Sequence, residues 1–83
     1  MQVKVGKIKH YYNKIGVAVV EMSGSLSIGD NIKIVGHDIE ATQEVASMQI
    51  EGKPINKTTK GQSIGLKVDQ LVRENDEVYL VKS

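Results

Sequence analysis

The 83-residue chain has room for one hydrophobic core, near the lower size at which a fold stands without disulfides or metal. It has no cysteine, which excludes disulfides, thiolate metal sites and thiol redox chemistry, and no apolar run approaches the roughly 20 residues that span a bilayer. The net charge of +1 conceals segregation: residues 1–20 carry four lysines and no acid, residues 21–52 sum to −5, residues 53–67 carry four lysines and no acid, and residues 68–83 sum to −2.

The expectation is therefore a single soluble domain over residues 1–83. The N-terminal MQVKVGK lacks the apolar stretch of a signal peptide, so cytoplasmic residence is the natural reading. Eleven Val and nine Ile stand against four Leu and three Ala, with no Phe or Trp. Side chains branched at Cβ lose rotamer freedom in helices and pack well on pleated sheets, which predicts an all-β chain with little or no helix.

In chain order, Val3 and Val5 share one parity while Ile8, His10 and Tyr12 share the other. The alternation slips near Gly6, where a bulge costs little. Residues 15–22 are nearly all apolar, as in a strand covered on both faces or curled within a small barrel. Asn13-Lys14 marks the turn between them, making residues 3–22 a hairpin with HYYNK at its tip. After Gly24 a Gly29-Asp30 turn leads into a strand with Ile32 and Ile34 on one face. Ala46, Met48 and Ile50 alternate in a fourth strand that ends at Gly52-Lys53-Pro54. Ile64, Leu66 and Val68 repeat the pattern after Lys60-Gly61, and residues 77–82 supply a last strand after the turn at Glu74-Asn75-Asp76. About six short strands separated by turns predict a small closed antiparallel β-barrel, since closure removes edges that so short a chain could hardly cover.

Several motifs tempt and fail. Gly61-Gln62-Ser63-Ile64-Gly65 fits the nucleophile elbow of α/β-hydrolases, but that turn needs a strand, a helix and a later histidine, whereas His10 and His37 both precede Ser63. The glycines of Gly24-Ser25-Leu26-Ser27-Ile28-Gly29 have phosphate-loop spacing, but Asp30 stands where that loop requires lysine. Asn56-Lys57-Thr58 is a glycosylation sequon read as coincidence. The two histidines lack a matching carboxylate cluster, so no metal is expected. Asp76-Glu77 is read as an exposed, solvated pair in a turn. Neither catalytic residues nor a cofactor are expected.

HYYNK leaves two readings open. Tyrosine stacks on unpaired bases while lysines hold the backbone, so Lys7, Lys9, His10, Tyr11, Tyr12 and Lys14 suit a single-strand RNA contact. Alternatively Tyr12 packs inward on the parity of Ile8 and His10, with Tyr11 partly exposed. Lys53, Lys57 and Lys60 join the candidate binding set if the two basic segments share a face, giving a positive patch suited to phosphate or an acidic protein. Otherwise those lysines blunt strand edges.

From residue 15 to residue 82 the order "GVAVVEMSGSLSIGDNIKIVG", "EVASMQIEGKPI", "KGQSIGLKV", "RENDEVYLV" resembles the β-barrel domain that follows the GTP-binding domain in translation factors such as elongation factor Tu. The most specific match is Leu26-x-x-Gly29-Asp30-x-Ile32-x-Ile34, with Gly61-x-x-Ile64-Gly65-Leu66 downstream. The resemblance implies a translation-type barrel that contacts tRNA, rRNA or a translation-associated protein. It carries no GTP hydrolysis, because the GTP-binding domain is missing. In elongation factor Tu this barrel helps hold the aminoacyl end of tRNA, and Ala18-Val19-Val20 departs from the family's usual Gly-Arg-Val there, so the resemblance does not carry that contact over. Similar barrels occur as small stand-alone elongation factor-like proteins, which match this length best, and as accessory domains at the C-terminal end of collagenase-like peptidases. The leading expectation is thus a non-enzymatic translation module touching RNA or the ribosome. The alternative is a protein-protein adaptor or an accessory barrel for an enzyme such as a collagenase-like peptidase.

Overall fold

A computed structural model describes residues 2–37 and 39–82. Eight strands form one antiparallel sheet: β1 (Gln2–Tyr12), β2 (Val17–Met22), β3 (Asn31–Val35), β4 (Glu40–Glu44), β5 (Met48–Ile50), β6 (Lys53–Ile55), β7 (Ser63–Lys67) and β8 (Glu77–Val81). Their spatial order is β4-β3-β8-β1-β2-β7-β5-β6. The β-branched composition is therefore expressed as expected, and no helix occurs among the described residues.

Alternation sets the inner face. Ala18, Val20 and Met22 on β2, Ile32 and Ile34 on β3, Ile64 and Leu66 on β7 and Val78 on β8 are all buried, and they pack with Val5, Ile8, Leu26, Val45 and Met48 into one core. Burying a branched side chain of this size stabilises by about 1.5–3 kcal/mol, so this cluster is the main force holding the sheet curled.

β1 is kinked near Gly6 as its sequence predicts, with a register shift against β8 between Lys4 and Gly6. Gly6 is required there by space, because a Cβ would meet Val20 Cγ1 at 2.6 Å. A second shift, against β2, lies between Ile8 and His10. It reverses the side-chain parity of the rest of β1, with consequences for the two tyrosines.

Two expectations require correction. Among the described residues there are eight strands rather than about six, and the sheet is not a closed barrel: β4 and β6 are its terminal strands. An irregular segment, residues 26–30, lies between the two ends instead of a regular ladder. Ile28 N donates to Asn56 O and Thr58 N to Leu26 O just beyond β6, while Gly29 N donates to Val45 O and Val45 N to Asp30 O just beyond β4. The Gln43 side chain adds to the seam, donating through Nε2 to Lys67 O and accepting from Asp69 N, both at 2.9 Å. Pro54, on the outermost strand, has no N–H to offer a further ladder.

Candidate protein-docking surface

The turn between β1 and β2 is held from two sides. Ile15 N and Gly16 N both donate to Tyr12 O, closing residues 13–16, while Val68 N donates to Gly16 O. Lys67 Nζ donates to Ile15 O at 3.0 Å. The tip is thus pinned to the end of β7, and few degrees of freedom remain to be frozen by a partner.

Tyr11 and Tyr12 have exchanged the roles that simple parity assigns them. Because the shift near Lys9 flips the strand, Tyr11 packs against the core and Tyr12 is 50 % exposed. The His10 ring meets the Tyr12 ring edge-on, with centroids 4.3 Å apart and planes at 66°. His10 Nδ1 lies 3.6 Å from Glu74 Oε1. Ile15, at the tip, is 57 % exposed.

Beside this tip the outward positions of β2 are Val17 and Val19, each half-buried. Val17 pairs with Tyr12 and Val19 with His10; on the other side Val19 faces Gly65, which in turn faces Gln49. Beside them runs a groove of about 390 Å³ walled by Tyr12, Ile15, Val17 and Val19 together with Gln49, Glu51 and Ser63; Gly65 itself is partly covered, since a Cβ there would stand 3.0 Å from Gln49 Cγ and 3.2 Å from Val17 Cγ1. A second groove, of about 540 Å³, opens on the other side of the tip between Tyr11, Asn13 and Leu71. Leu71 is 76 % exposed. Tyr12, Ile15 and Leu71 thus gather three large exposed apolar side chains around one turn. Aromatic and branched residues presented this way have the character of interface anchors.

The outward face of β1, β8 and β3 is charged instead. Lys4 Nζ lies 2.8 Å from Glu77 Oε2, Tyr79 Oη donates to Glu77 Oε1 at 3.0 Å, and Lys33 Nζ lies 3.1 Å from Glu40 Oε1. The bond from Lys4, then that from Tyr79, holds the Glu77 carboxyl below its ordinary value. Accepting from them, Glu77 raises both Lys4 and Tyr79.

Lys67 of the second basic segment reaches the first at Ile15 O, but Lys53, Lys57 and Lys60 do not gather with Lys14. Lys14 sits in the turn before β2, whereas Lys60 precedes Gly61, whose N–H bonds Met22 O at the other end of that strand, about 17 Å away at 3.3 Å per residue. Lys57 is bridged to Ser27, also beyond Met22, and Lys53 begins β6. Lys9 pairs with Glu21 at 3.6 Å, and Lys7 lies opposite Glu21 and Glu77 in the ladders. The turn acids also differ from expectation. Asp76 is buried rather than solvated, its Oδ2 accepting from Arg73 N at 2.9 Å, and Glu77 is the clasp just described.

Ser63 opens β7 rather than a helix, and among the described residues no hydrogen bond joins it to His10 or His37. Among those residues, too, no cluster of three or more His, Cys, Asp or Glu side chains is placed to hold a metal, and no helix is long and apolar enough to cross a membrane. Sequence reasoning missed Val17, Val19, Gly65 and Leu71 as surface residues. Leu71, one of three apolar residues in the otherwise polar stretch VDQLVREN, carried the one local signal.

The chain matches no protein-family model. It is 40 % identical over 82 residues to an uncharacterized protease of Methanocaldococcus jannaschii, covering 98 % of this chain and 20 % of that protein. It is 39 % identical over 80 residues to a collagenase of Porphyromonas gingivalis strain W83, covering 94 % of this chain and 19 % of that one. The chain therefore spans about a fifth of the length of these relatives. In structure it superimposes on the C-terminal domain of a Geobacillus thermoleovorans protein classed as a U32 peptidase, with TM-scores of 0.89 and 0.87 in two crystal structures at 20 % identity. Those matches cover 94 % and 92 % of this chain, and 91 % and 96 % of the other.

These findings overturn the translation-factor resemblance, and with it the tRNA, rRNA and translation-protein partners it implied. The residues that carried it, Gly29-Asp30 and Gly61-x-x-Ile64-Gly65-Leu66, place turns and strand entries, so they report a strand order that unrelated functions share.

Proposed function

We propose that this chain is a non-catalytic accessory β-domain that works with a peptidase of the U32 or collagenase type. The observation that carries the proposal is the proportion of the match: nearly the whole chain aligns at 40 % identity with only a fifth of a protease. A segment of that share leaves the remaining four-fifths of the relative to supply its chemistry. The surface supports the same reading. Catalysis requires a nucleophile, a base and a stabiliser of developing charge converging on one point, whereas this chain gathers exposed apolar side chains around a pinned turn, the material of protein contact.

The test compares three samples on protein substrates: the 83-residue chain, the M. jannaschii protease, and that protease without its matched segment. The chain alone should cleave nothing. The shortened protease should retain its chemistry with an altered KM or stability. Reproducible hydrolysis by the purified chain would refute the accessory role.

A further inference from the structure

We propose that the tip of the β1–β2 hairpin, Tyr12 and Ile15 with the outward Val17 and Val19, is the face by which this domain packs against the body of the peptidase. The inference rests on the accessory reading above and adds the surface to it.

Four observations carry it. The outward face of the sheet is uneven: β1, β8 and β3 display Lys4, Glu77, Lys33 and Tyr79 in ion pairs and hydrogen bonds, while β2 presents Val17 and Val19 beside the hairpin tip, with Glu21, Ser63 and Lys67 as the polar outward positions around them. Water satisfies the charged positions and leaves Tyr12 and Ile15, 50 % and 57 % exposed, as apolar surface at the tip. The tip also stands beside the groove walled by Tyr12, Ile15, Val17 and Val19, and such relief suits an interlocking partner better than a flat one. The hairpin is braced by Lys67 Nζ on Ile15 O and Val68 N on Gly16 O, so docking orders little that is not already ordered.

The fourth observation identifies the occupant. In the relatives the matching segment is a fifth of a longer polypeptide, so there the body is a permanent neighbour at high effective concentration. A tethered domain docks through a patch too small to hold a free partner, and a few apolar side chains around one turn make a patch of that kind.

Because the chain contains no cysteine, single thiols report the contact directly. Ile15→Cys and Lys60→Cys are each made in the 83-residue chain and in a graft where this chain replaces the matched segment of the M. jannaschii protease. Labelling by a thiol reagent is followed by peptide mass. Both positions should label fast in the free chain, and in the graft Ile15→Cys should slow by at least tenfold while Lys60→Cys is unchanged. Equal labelling of Ile15→Cys in chain and graft, or protection of Lys60→Cys alone, would overturn the assignment of this face and leave the accessory role standing. Protection of Ile15→Cys in the free chain that grows with its concentration would also overturn it, giving the face to a second copy. Failure of the accessory role itself is read separately, as proteolysis by the free chain.

Discussion

Asp76 folds its carboxylate over the Cα of Gly36, just past the end of β3, so that a methyl group at position 36 would overlap Oδ1 and stand 2.9 Å from Oδ2. That carboxylate is buried and cannot swing out freely, since Oδ2 also accepts from Arg73 N and shapes the turn into β8. Gly36→Ala should cost about 2 kcal/mol or more, as overpacking and a lost turn bond combine. In an Asp76→Ala background the same substitution should cost far less, because the overlapping atoms are gone. Urea denaturation of the four-variant cycle measures the coupling; additive effects would show that the two residues do not share this space.

Thr58 is fully buried where residues 26–30 meet the chain beyond β6. Its Oγ1 accepts from Leu26 N at 3.0 Å and its own N–H donates to Leu26 O. Thr58→Val keeps the shape but leaves Leu26 N without an acceptor in the core, which should destabilise by about 1–3 kcal/mol. Thr58→Ser keeps the acceptor and should cost about 1 kcal/mol, close to the value of one buried carbon group. A larger loss in Thr58→Ser than in Thr58→Val, read from denaturant midpoints, would mean that methyl packing rather than the hydroxyl fastens this seam.

Why the sequence disclosed some of this and not the rest follows from how each feature is encoded. β2, β3, β7 and β8 bury every second residue, and that signal is local. β4, EATQE, has no apolar alternation, since it is an edge strand whose inward Gln43 ends on the backbone of residues 67 and 69 rather than in the core. β6 contains Pro54, which argues against a strand except at an edge, and its hairpin with β5 turns through Glu51 at φ 52° and Gly52 at φ 79°, a left-handed pair that Glu does not announce. Closure failed as an expectation because alternation specifies an inner face and says nothing of whether the last two strands meet by a ladder or by an irregular seam. The surface was read through charge, which is visible along the chain, while the apolar patch is assembled from β1, the turn after it and β2, and exists only once they pair.

The clasp of Lys4, Glu77 and Tyr79 gives stability a dependence on pH at both extremes. For Glu77, whose native pKa is lowered chiefly by Lys4, the contribution is present above the unfolded carboxylate range and is lost as pH falls through the lowered native value. For Lys4 and Tyr79, both raised chiefly by Glu77, the contribution is present below their unfolded values and is lost as pH rises through the native ones. Lys4 is exposed and Glu77 and Tyr79 are only partly covered, so the effect is small and screened by salt. Glu77→Gln should therefore lie below wild type in urea midpoint near neutrality and converge with it in acid. A gap that stays constant from about pH 7 down to about pH 3, spanning the carboxylate range, would show that the charge on Glu77 contributes nothing.

Tyr11 and Tyr12 test the second irregularity of β1 most directly, because uninterrupted alternation and the shifted register predict opposite results. With the register displaced between Ile8 and His10, Tyr11 lies against the core and Tyr12 stands half in solvent against the His10 ring. Tyr11→Ala should then lose about 2 kcal/mol, less than the 3–5 kcal/mol of a fully buried ring because Tyr11 is only partly covered. Tyr12→Ala should fall within about 0.5 kcal/mol of wild type, as substitutions at exposed positions do, while weakening whatever contact the hairpin tip makes. If the ranking came out reversed in chemical denaturation, Tyr12 would be the inward ring. The tip would then present Tyr11, and the apolar surface at the tip would have to be redrawn around it.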